Sequence, residues 1–174
     1  LHASDFHNDA LVADALDDFT RVFVSTGGIR VDELEEMISR HQISADSPAC
    51  IMYGFQAYPT DIADNNLRRF GALIRRFPDL TFGFMDHSPG DSKAAWYVPM
   101  MAVALGATVV EKHMTIAHTV ELTDHWSALT PDEFGEFVRL TTVLLPALGS
   151  DDMDLSLAEE KYRRDALKVV VASR

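Results

Sequence analysis

Cysteine is nearly absent from this chain of 174 residues, whose only example is Cys50. A single cysteine excludes an internal disulfide, and a protein without disulfides suits a reducing compartment, so we expect a cytoplasmic protein. Cys50 lies within the apolar run Ala-Cys-Ile-Met at 49–52. That setting favours a buried packing role for its thiol over a catalytic role.

Long apolar runs and basic residues are scarce as well. No run approaches the roughly 20 apolar residues that a membrane-spanning helix needs, and no secretory signal pattern is visible. Lysine and arginine number 15 against 27 aspartates and glutamates, which gives a formal charge of −12. Charge of that sign repels nucleic acids and anionic membranes, so we expect neither as a partner. An anionic substrate would need a metal ion, a helix N-terminus or a few basic side chains to hold it.

Apolar residues are abundant enough for one domain with a core, at 47% of the chain. Strand-like runs alternate four times with helix-like segments. The strands are predicted at 21–25, 48–53, 82–87 and 106–113, and the helices at 31–41, 63–77, 96–105 and 130–148. This alternation predicts a parallel α/β fold, and periodicity alone fits both half of an eightfold barrel and an open doubly wound sheet.

Shorter segments flank these four repeats. Residues 1–4 are interpreted as the tail of a strand, and 8–16 as a helix with a polar cap. After the repeats, the pattern predicts a mixed-charge helix at 158–167 and a terminal strand at 169–171.

The segment from Phe82 to His113 has the pattern strand, helix, strand, and each strand ends in a polar cluster with a histidine. Because the carboxyl ends of parallel strands share one rim, we expect His87 and His113 to approach each other. Two neutral imidazoles on such a rim suit a divalent metal such as Mn, Fe, Co or Zn. The alternative is that each histidine caps its own strand or helix.

All four strands end in polar residues, which favours a barrel, because barrel enzymes build their sites from several strand ends. Asp86 and Glu111 are interpreted either as groups that orient the imidazoles or as strand-end residues bonded to backbone. Tyr58 is either a substrate contact or a turn anchor before Pro59. The loop after the last of these strands contains two further histidines, of which His118 is expected to be solvated and His125 to be a site residue.

Six short motifs stand in the order and with the spacing of one enzyme family. They are Val-Ser-Thr-Gly-Gly (24–28), Tyr-Pro-Thr (58–60), Asp-His-Ser (86–88), Ala-Val-Ala-Leu-Gly-Ala-Thr-Val-Val-Glu-Lys-His (102–113), Thr-Asp-His (123–125) and Ser-Ala-Leu-Thr-Pro-Asp-Glu (127–133). Over nearly its whole length the chain resembles the sialic acid synthases. These enzymes use phosphoenolpyruvate to make N-acetylneuraminate and related nonulosonic acids.

The resemblance implies a parallel (β/α)8 TIM-barrel type fold, of which this chain supplies strands five to eight as a half-barrel. Residues 1–149 would form the partial barrel, and 150–174 a linking helix and strand toward an absent C-terminal domain. A half-barrel exposes two sheet edges and an apolar interior. We therefore expect a homodimer or pairing with a missing N-terminal half-barrel.

The resemblance also implies roles for individual residues. His87 and His113 would bind the metal, manganese or magnesium, while Asp124 and Tyr58 would act as catalytic groups near the sugar. The implied reaction condenses phosphoenolpyruvate with an N-acylated amino sugar such as N-acetylmannosamine and releases phosphate. The substrate-binding positions would be Ser4, Ser25, Gln56 and His125.

Four positions depart from the family pattern. Leu1 stands where the family has a lysine, Phe6 replaces an acid, Gln56 replaces an asparagine, and Met85 replaces a serine. These changes fall mainly on substrate and phosphate contacts, whereas both histidines are present. They keep two alternatives open: a non-catalytic relative that serves binding or assembly, and a different metal-dependent aldolase or lyase on the same scaffold.

Overall fold

The computed structural model of the chain describes residues 1–168, and its centre is one parallel sheet. Five strands lie side by side in the order of the sequence. They are β1 (Val22–Ser25), β2 (Ala49–Tyr53), β3 (Thr81–Asp86), β4 (Val109–Met114) and β5 (Ala128–Leu129). Every neighbouring pair is parallel. The predicted parallel α/β fold is thus confirmed, and the two-residue strand β5 is an addition that the sequence did not predict.

The described part of the chain has six α-helices: α1 (Asp9–Asp18), α2 (Val31–Arg40), α3 (Leu67–Arg76), α4 (Ala94–Ala104), α5 (Pro131–Leu144) and α6 (Leu157–Ala166). Short 3-10 helices lie at Ala3–Asp5, Ile62–Asn65, His125–Ser127 and Leu145–Leu148. Asn8 caps α1, since its side chain accepts a hydrogen bond from the Leu11 N–H at 3.3 Å. The predicted strand at 169–171 lies outside the described residues.

One face of the sheet packs against helices α1 to α4. Because successive side chains of a strand point to opposite faces, Val24, Ile51 and Phe84 project from three adjacent strands on the same side. They join buried side chains such as Val12 of α1 and Phe70 of α3 in the main hydrophobic core. Phe6 is also buried in this core, with 2% of its surface exposed.

The other face carries a smaller apolar cluster of Cys50, Met52 and Met85. Gly83 leaves room for it, because a Cβ at that position would lie 2.3 Å from the Met52 Sδ. Cys50 is buried, and desolvation raises the pKa of its thiol to about 11. The thiol is therefore protonated at neutral pH, in agreement with the predicted packing role.

Residues 1–4 differ from their prediction. Leu1 pairs with β1 as a parallel strand would, because its N–H donates to the Phe23 carbonyl at 2.6 Å and its carbonyl accepts from the Ser25 N–H at 3.0 Å. Beyond Leu1 the strand interpretation is wrong, since Ala3–Asp5 is a 3-10 helix.

The chain divides into two compact units, Leu1–Val143 and a second unit that begins at Leu144. The sheet lies in the first unit. In the second, Ser156 and Glu159 cap α6 reciprocally, each side chain accepting a hydrogen bond from the backbone of the other. The predicted domain division at 149/150 stays a prediction.

Among residues 1–168, no helix combines the length and the apolar character needed to cross a bilayer.

Candidate active site

Three aromatic rings meet at the carboxyl ends of β3 and β4. The ring centres of His87 and His113 are 5.1 Å apart, and the Tyr58 ring lies 4.6 Å from His87 and 5.3 Å from His113. Asp86 pairs with Lys112 in the strand register, so the histidine that follows each of them reaches the same level of the sheet. The predicted approach of the two histidines is confirmed.

His87 is held in one tautomer by a backbone contact. Its Nδ1 lies 2.8 Å from the Phe55 carbonyl oxygen, which can only accept, so Nδ1 carries the proton. The residue is 2% exposed, and burial, together with the nearby His113, lowers the pKa of His87 below its usual value. A neutral imidazole with Nδ1 protonated presents Nε2 as a lone-pair donor to a metal or a hydrogen-bond donor.

A buried ion pair lies directly behind the histidines. The Lys112 ammonium contacts the Asp86 carboxylate, and both side chains are fully enclosed, with 0% exposure. Ser88 completes the cluster, because its hydroxyl donates to Asp86 Oδ1 at 2.7 Å. Asp86 therefore makes neither of the two contacts suggested by the sequence. It fixes the register of β3 against β4, and with it the level of the two imidazoles.

A chain of hydrogen bonds in front of the histidines links the end of β1 to the loop after β2. The Tyr58 hydroxyl donates to the Gln56 side-chain oxygen, and Gln56 Nε2 donates to the Ser25 hydroxyl at 3.1 Å. Burial, the Asp124 charge and the Glu111 charge raise the pKa of Tyr58, so its phenol is a proton donor at neutral pH. Ser25, Gln56 and Tyr58 thus present their polar groups as one connected row.

This row borders a cavity of about 440 Å³, which we call the primary cavity. It collects most of the predicted site residues. Its walls are Leu1, His2, Phe23, Ser25, Met52, Gln56, Tyr58, Met85, Glu111, His113 and Asp124. His87 lies against its wall through its ring contacts with Tyr58 and His113.

Two predicted substrate residues lie elsewhere. Ser4 is exposed, with its hydroxyl 3.0 Å from His2 Nδ1, and it does not line the primary cavity. His125 lines a different cavity, described below. Phe6, the residue that replaces an acid of the family, faces the helix-side core instead of the cavity.

The cavity also contains the carboxylate of Glu111, for which the sequence left two interpretations open. Glu111 precedes His113 by two residues, so the period-two alternation of a strand places both side chains on the same face. That alternation is the sequence signal that would have found it. Asp124 reaches the cavity from the following loop, where its backbone adopts the left-handed region with φ of 60°.

The donor set is short of a complete metal site. Within the described residues, no group of three or more His, Cys, Asp or Glu is arranged to hold a metal ion. The pair His87 and His113 supplies two nitrogen ligands, and further ligands would come from substrate, water or residues outside this chain.

A second cavity of about 340 Å³, here the outer cavity, is lined by Pro59, Pro89, Asp91, His118, His125 and Trp126. Trp126 is 59% exposed, and its ring packs against that of His125 at an interplanar angle of 35°, with 4.0 Å between ring centres. His125 Nδ1 lies 2.7 Å from the Leu122 carbonyl, which makes Nδ1 the protonated nitrogen.

His118 is exposed, as the sequence predicted, and it is also paired with a carboxylate. Its Nε2 lies 2.8 Å from Glu133 Oε2, and the same carboxylate accepts from the Thr130 backbone and hydroxyl at the start of α5. Against the effect of burial, the bonds from Thr130 and His118 lower the pKa of Glu133.

Comparison with known proteins places this geometry in a family. The model of the NeuB family matches residues 2–153. N-acetylneuraminate-9-phosphate synthase of Mus musculus is 35% identical over 123 residues, which are 71% of this chain and 33% of that protein. Pseudaminic acid synthase of Campylobacter jejuni (serotype O:23/36, strain 81-176) is 34% identical over 140 residues, which are 80% of this chain and 39% of that protein. The chain thus spans between a third and two fifths of these curated relatives.

Solved structures agree on the fold. The N-acetylneuraminic acid (sialic acid) synthetase of Leptospira borgpetersenii serovar Hardjo-bovis superposes with a TM-score of 0.81 at 26% identity, covering 95% of this chain and 57% of that one. A truncated 3-deoxy-D-arabino-heptulosonate 7-phosphate synthase of Thermotoga maritima, at 20% identity and a TM-score of 0.63, covers 86% of this chain and 58% of its own and shares the fold. The matched residues and the superposition agree with the motifs at the strand ends: the chain belongs to the NeuB family.

Proposed function

We propose that this chain supplies strands five to eight of a nonulosonic (sialic) acid synthase barrel, a transferase that forms a carbon–carbon bond with phosphoenolpyruvate. The acceptor is an N-acylated amino sugar such as N-acetylmannosamine, and phosphate is released. The observation that carries the proposal is the meeting of His87, His113 and Tyr58 at the wall of the primary cavity. The family assignment over residues 2–153 supports it.

His87 and His113 would hold a manganese or magnesium ion. The residues fit part of such a site, because His87 is neutral and has its Nδ1 committed to Phe55, which leaves Nε2 for a ligand. When bound, the metal supplies Lewis acidity that polarises the aldehyde oxygen of the sugar.

The remaining groups of the primary cavity bind and orient. Tyr58, protonated at neutral pH, donates a hydrogen bond, and its bond to Gln56 fixes the direction of its hydroxyl. Asp124, at the cavity wall, accepts a hydrogen bond from a hydroxyl of the sugar. Ser25, at the end of β1 and before α2, is the group placed for the phosphate of phosphoenolpyruvate.

A partner half completes this barrel in our proposal. Phe23 lies on the cavity side of β1 and is 39% exposed, and parallel sheets normally bury both faces. A second half-barrel would cover this face and add lysine or arginine side chains for phosphoenolpyruvate, since neither residue type is among the described lining residues of the primary cavity. The 174 residues alone would therefore be inactive.

The test follows phosphate release from phosphoenolpyruvate by the full-length protein with Mn²⁺ and N-acetylmannosamine. We expect release that depends on metal and on the sugar, and a fall of at least about 100-fold in His87→Ala and His113→Ala, the usual scale for loss of a metal ligand or its support. His7→Ala, at an exposed histidine that lines neither cavity, is the matched control and should keep most of the rate. Metal-independent release, or equal rates in all three variants, would contradict the proposal.

A non-catalytic relative is the second candidate, and the wall of the primary cavity favours it at one point. Met85 stands where the family has a serine, and Gln56 Nε2 lies 3.9 Å from its sulfur. A thioether there gives a phosphate no hydroxyl to bind. If this candidate is right, the full-length protein binds an amino sugar by calorimetry yet releases no phosphate, and Met85→Ser restores none.

A further inference from the structure

We propose that the outer cavity binds the end of the amino sugar remote from its aldehyde, and that this end is uncharged. The protein would thus take an unphosphorylated acceptor. This inference rests on the proposed function, whose reaction leaves the phosphorylation state of the sugar open. It assigns a role to Trp126 and Asp91, which have none in the primary cavity.

Residues that are consecutive in the chain line the two cavities. Tyr58 lines the primary cavity and Pro59 the outer one, while Asp124 lines the primary cavity and His125 and Trp126 the outer one. A sugar whose aldehyde end lies at His113 and Asp124 has the outer cavity beside it. The outer volume of about 340 Å³ is ample for a few carbons with their substituents.

The surface of the outer cavity has the chemistry of a sugar subsite. The C–H bonds of a sugar chain pack on an aromatic face, and Trp126, which is 59% exposed, offers a ring that is held by its packing against His125. His125 Nε2 is left as an acceptor, because Nδ1 is bonded to Leu122, and Asp91 adds a carboxylate. Such acceptors bind hydroxyl and amide N–H groups.

The charges of the outer cavity disfavour a phosphate. Its described lining contains neither lysine nor arginine, and Asp91 is an acid. His118 shares its bond with the Glu133 carboxylate. A sugar phosphate is normally held by arginine or lysine through charge-assisted hydrogen bonds, and acids beside it repel it.

Two lysines close in sequence to the outer-cavity residues already contact other side chains. The Lys93 ammonium lies 4.5 Å from the centre of the Trp96 ring, and Lys112 is buried against Asp86. The identities of relatives do not decide the question, because one named for a 9-phosphate product and one named for pseudaminic acid are 35% and 34% identical to this chain. The outer cavity is the feature that distinguishes the two kinds of acceptor.

The test uses tryptophan fluorescence without phosphoenolpyruvate. The chain has two tryptophans, so Trp96→Phe leaves Trp126 as the reporter. We expect a saturable change on titration with N-acetylmannosamine and binding of its 6-phosphate weaker by about tenfold or more, the effect of one uncompensated charge contact. In the same background, Asp91→Lys should strengthen binding of the 6-phosphate and narrow or reverse that preference.

Calorimetry on the 174-residue chain and on the full-length protein gives the second measurement. Trp126→Ala should weaken binding of N-acetylmannosamine about tenfold, the scale of a lost aromatic contact. Ile116→Ala is the matched control, because Ile116 lies in the same loop, is 75% exposed and lines neither cavity. Thermal melts of both variants verify folding, and Trp126→Phe should recover most of the affinity.

The outcomes separate this inference from the proposed function. Equal or tighter binding of the 6-phosphate, unchanged binding in Trp126→Ala, or no binding of either sugar would overturn it. Phosphate release from phosphoenolpyruvate with an unchanged KM for the sugar in Trp126→Ala would leave the proposed function standing and remove the subsite. Selective sugar binding without any phosphate release would support the subsite and contradict the proposed function.

Discussion

Asp86 and Lys112 show how single residues can determine a site that they do not enter. A buried ion pair gains little net stability over apolar residues of the same volume, because both charges lose their hydration. What the pair supplies is position: each partner directly precedes one of the two histidines, and the two are opposite each other in the strand register.

Breaking this pair should cost far more than the pair contributes. We predict that Asp86→Asn lowers the free energy of unfolding by about 3–5 kcal/mol, because the Lys112 ammonium is left buried without its counter-ion. Urea denaturation measures the loss. Glu136→Gln is the control, since it breaks an exposed pair with Arg139 and should cause no measurable change. The double variant Asp86→Leu, Lys112→Met should recover most of the stability. Imidazole NMR then shows whether His87 keeps its Nδ1 bond to Phe55. If that bond persists in the double variant, the ion pair does not position His87.

His87 should make stability depend on pH in the absence of metal. Burial lowers its pKa in the folded state, whereas the unfolded chain has the ordinary value of about 6.5. Below about pH 6.5 the unfolded state therefore takes up a proton that the folded state resists, so stability is full above that pH and falls as the pH drops toward the folded pKa. Urea denaturation in EDTA from pH 7.5 to 5.5 should show a steeper loss for the wild type than for His87→Gln. Identical slopes would mean that His87 is not the group responsible.

At the scale of secondary structure, the loop between β4 and β5 is closed at its base. The Thr115 N–H donates to the Leu129 carbonyl at 2.9 Å, and the Gly90 N–H donates to the Trp126 carbonyl at 2.6 Å. The close approach of Gly90 leaves no room for a side chain, because a Cβ there would lie 2.1 Å from the Ala128 carbonyl oxygen.

Two glycine substitutions should therefore have opposite effects. Gly90→Ala is expected to destabilise the fold by about 1–3 kcal/mol, the usual cost of overpacking. Gly135→Ala, in α5 with nothing within 4 Å of the new Cβ, should stabilise it by about 0.4–1 kcal/mol. Thermal denaturation of the two variants side by side measures both. A neutral Gly90→Ala would show that the loop base is not packed as described.

The elements that repeat a pattern were predictable from sequence, and those set by long-range pairing were not. The helix capped by Asn8 and the strands β3 and β4, whose carboxyl ends carry the two histidines, follow local signals of capping and period. Strand β5 has two residues, too few to produce a period. The role of Asp86 depends on which residue faces it across the register, and local sequence does not contain that information.

The same contrast between local signals and long-range contacts separates the predicted from the unpredicted parts of the candidate site. The meeting of the two histidines followed from the shared rim of parallel strands, and the resemblance supplied Tyr58, Gln56 and Asp124. The outer cavity was not predicted, because it forms where the loops after β2, β3 and β4 come together. Exposed loop residues such as Trp126 produce no periodic signal in the sequence.

For the whole molecule, the exposed sheet face that carries Phe23 predicts association with another chain. Phe23 presents an apolar ring on the face that a complete barrel would bury. We expect the 174-residue chain to self-associate or to bind a separately expressed N-terminal half-barrel, and Phe23→Ser to weaken either association. Sedimentation velocity measures it. Phe19→Ser is the control, because Phe19 is 63% exposed at the end of α1; equal effects of both variants would indicate nonspecific hydrophobic contact.

Because the loop after β4 is closed at its base, the loop can also be replaced as a unit. Residues 115–127 leave and re-enter the sheet at neighbouring strands, where Met114 pairs with Leu129. The entropy cost of a longer loop grows only slowly with its length, so this segment can be extended or replaced without moving the strands. Grafting the corresponding loop from another family member would exchange the part of the outer cavity formed by His118, His125 and Trp126 while leaving His87 and His113 in place. A change of acceptor would then need one recombination event instead of a redesigned barrel.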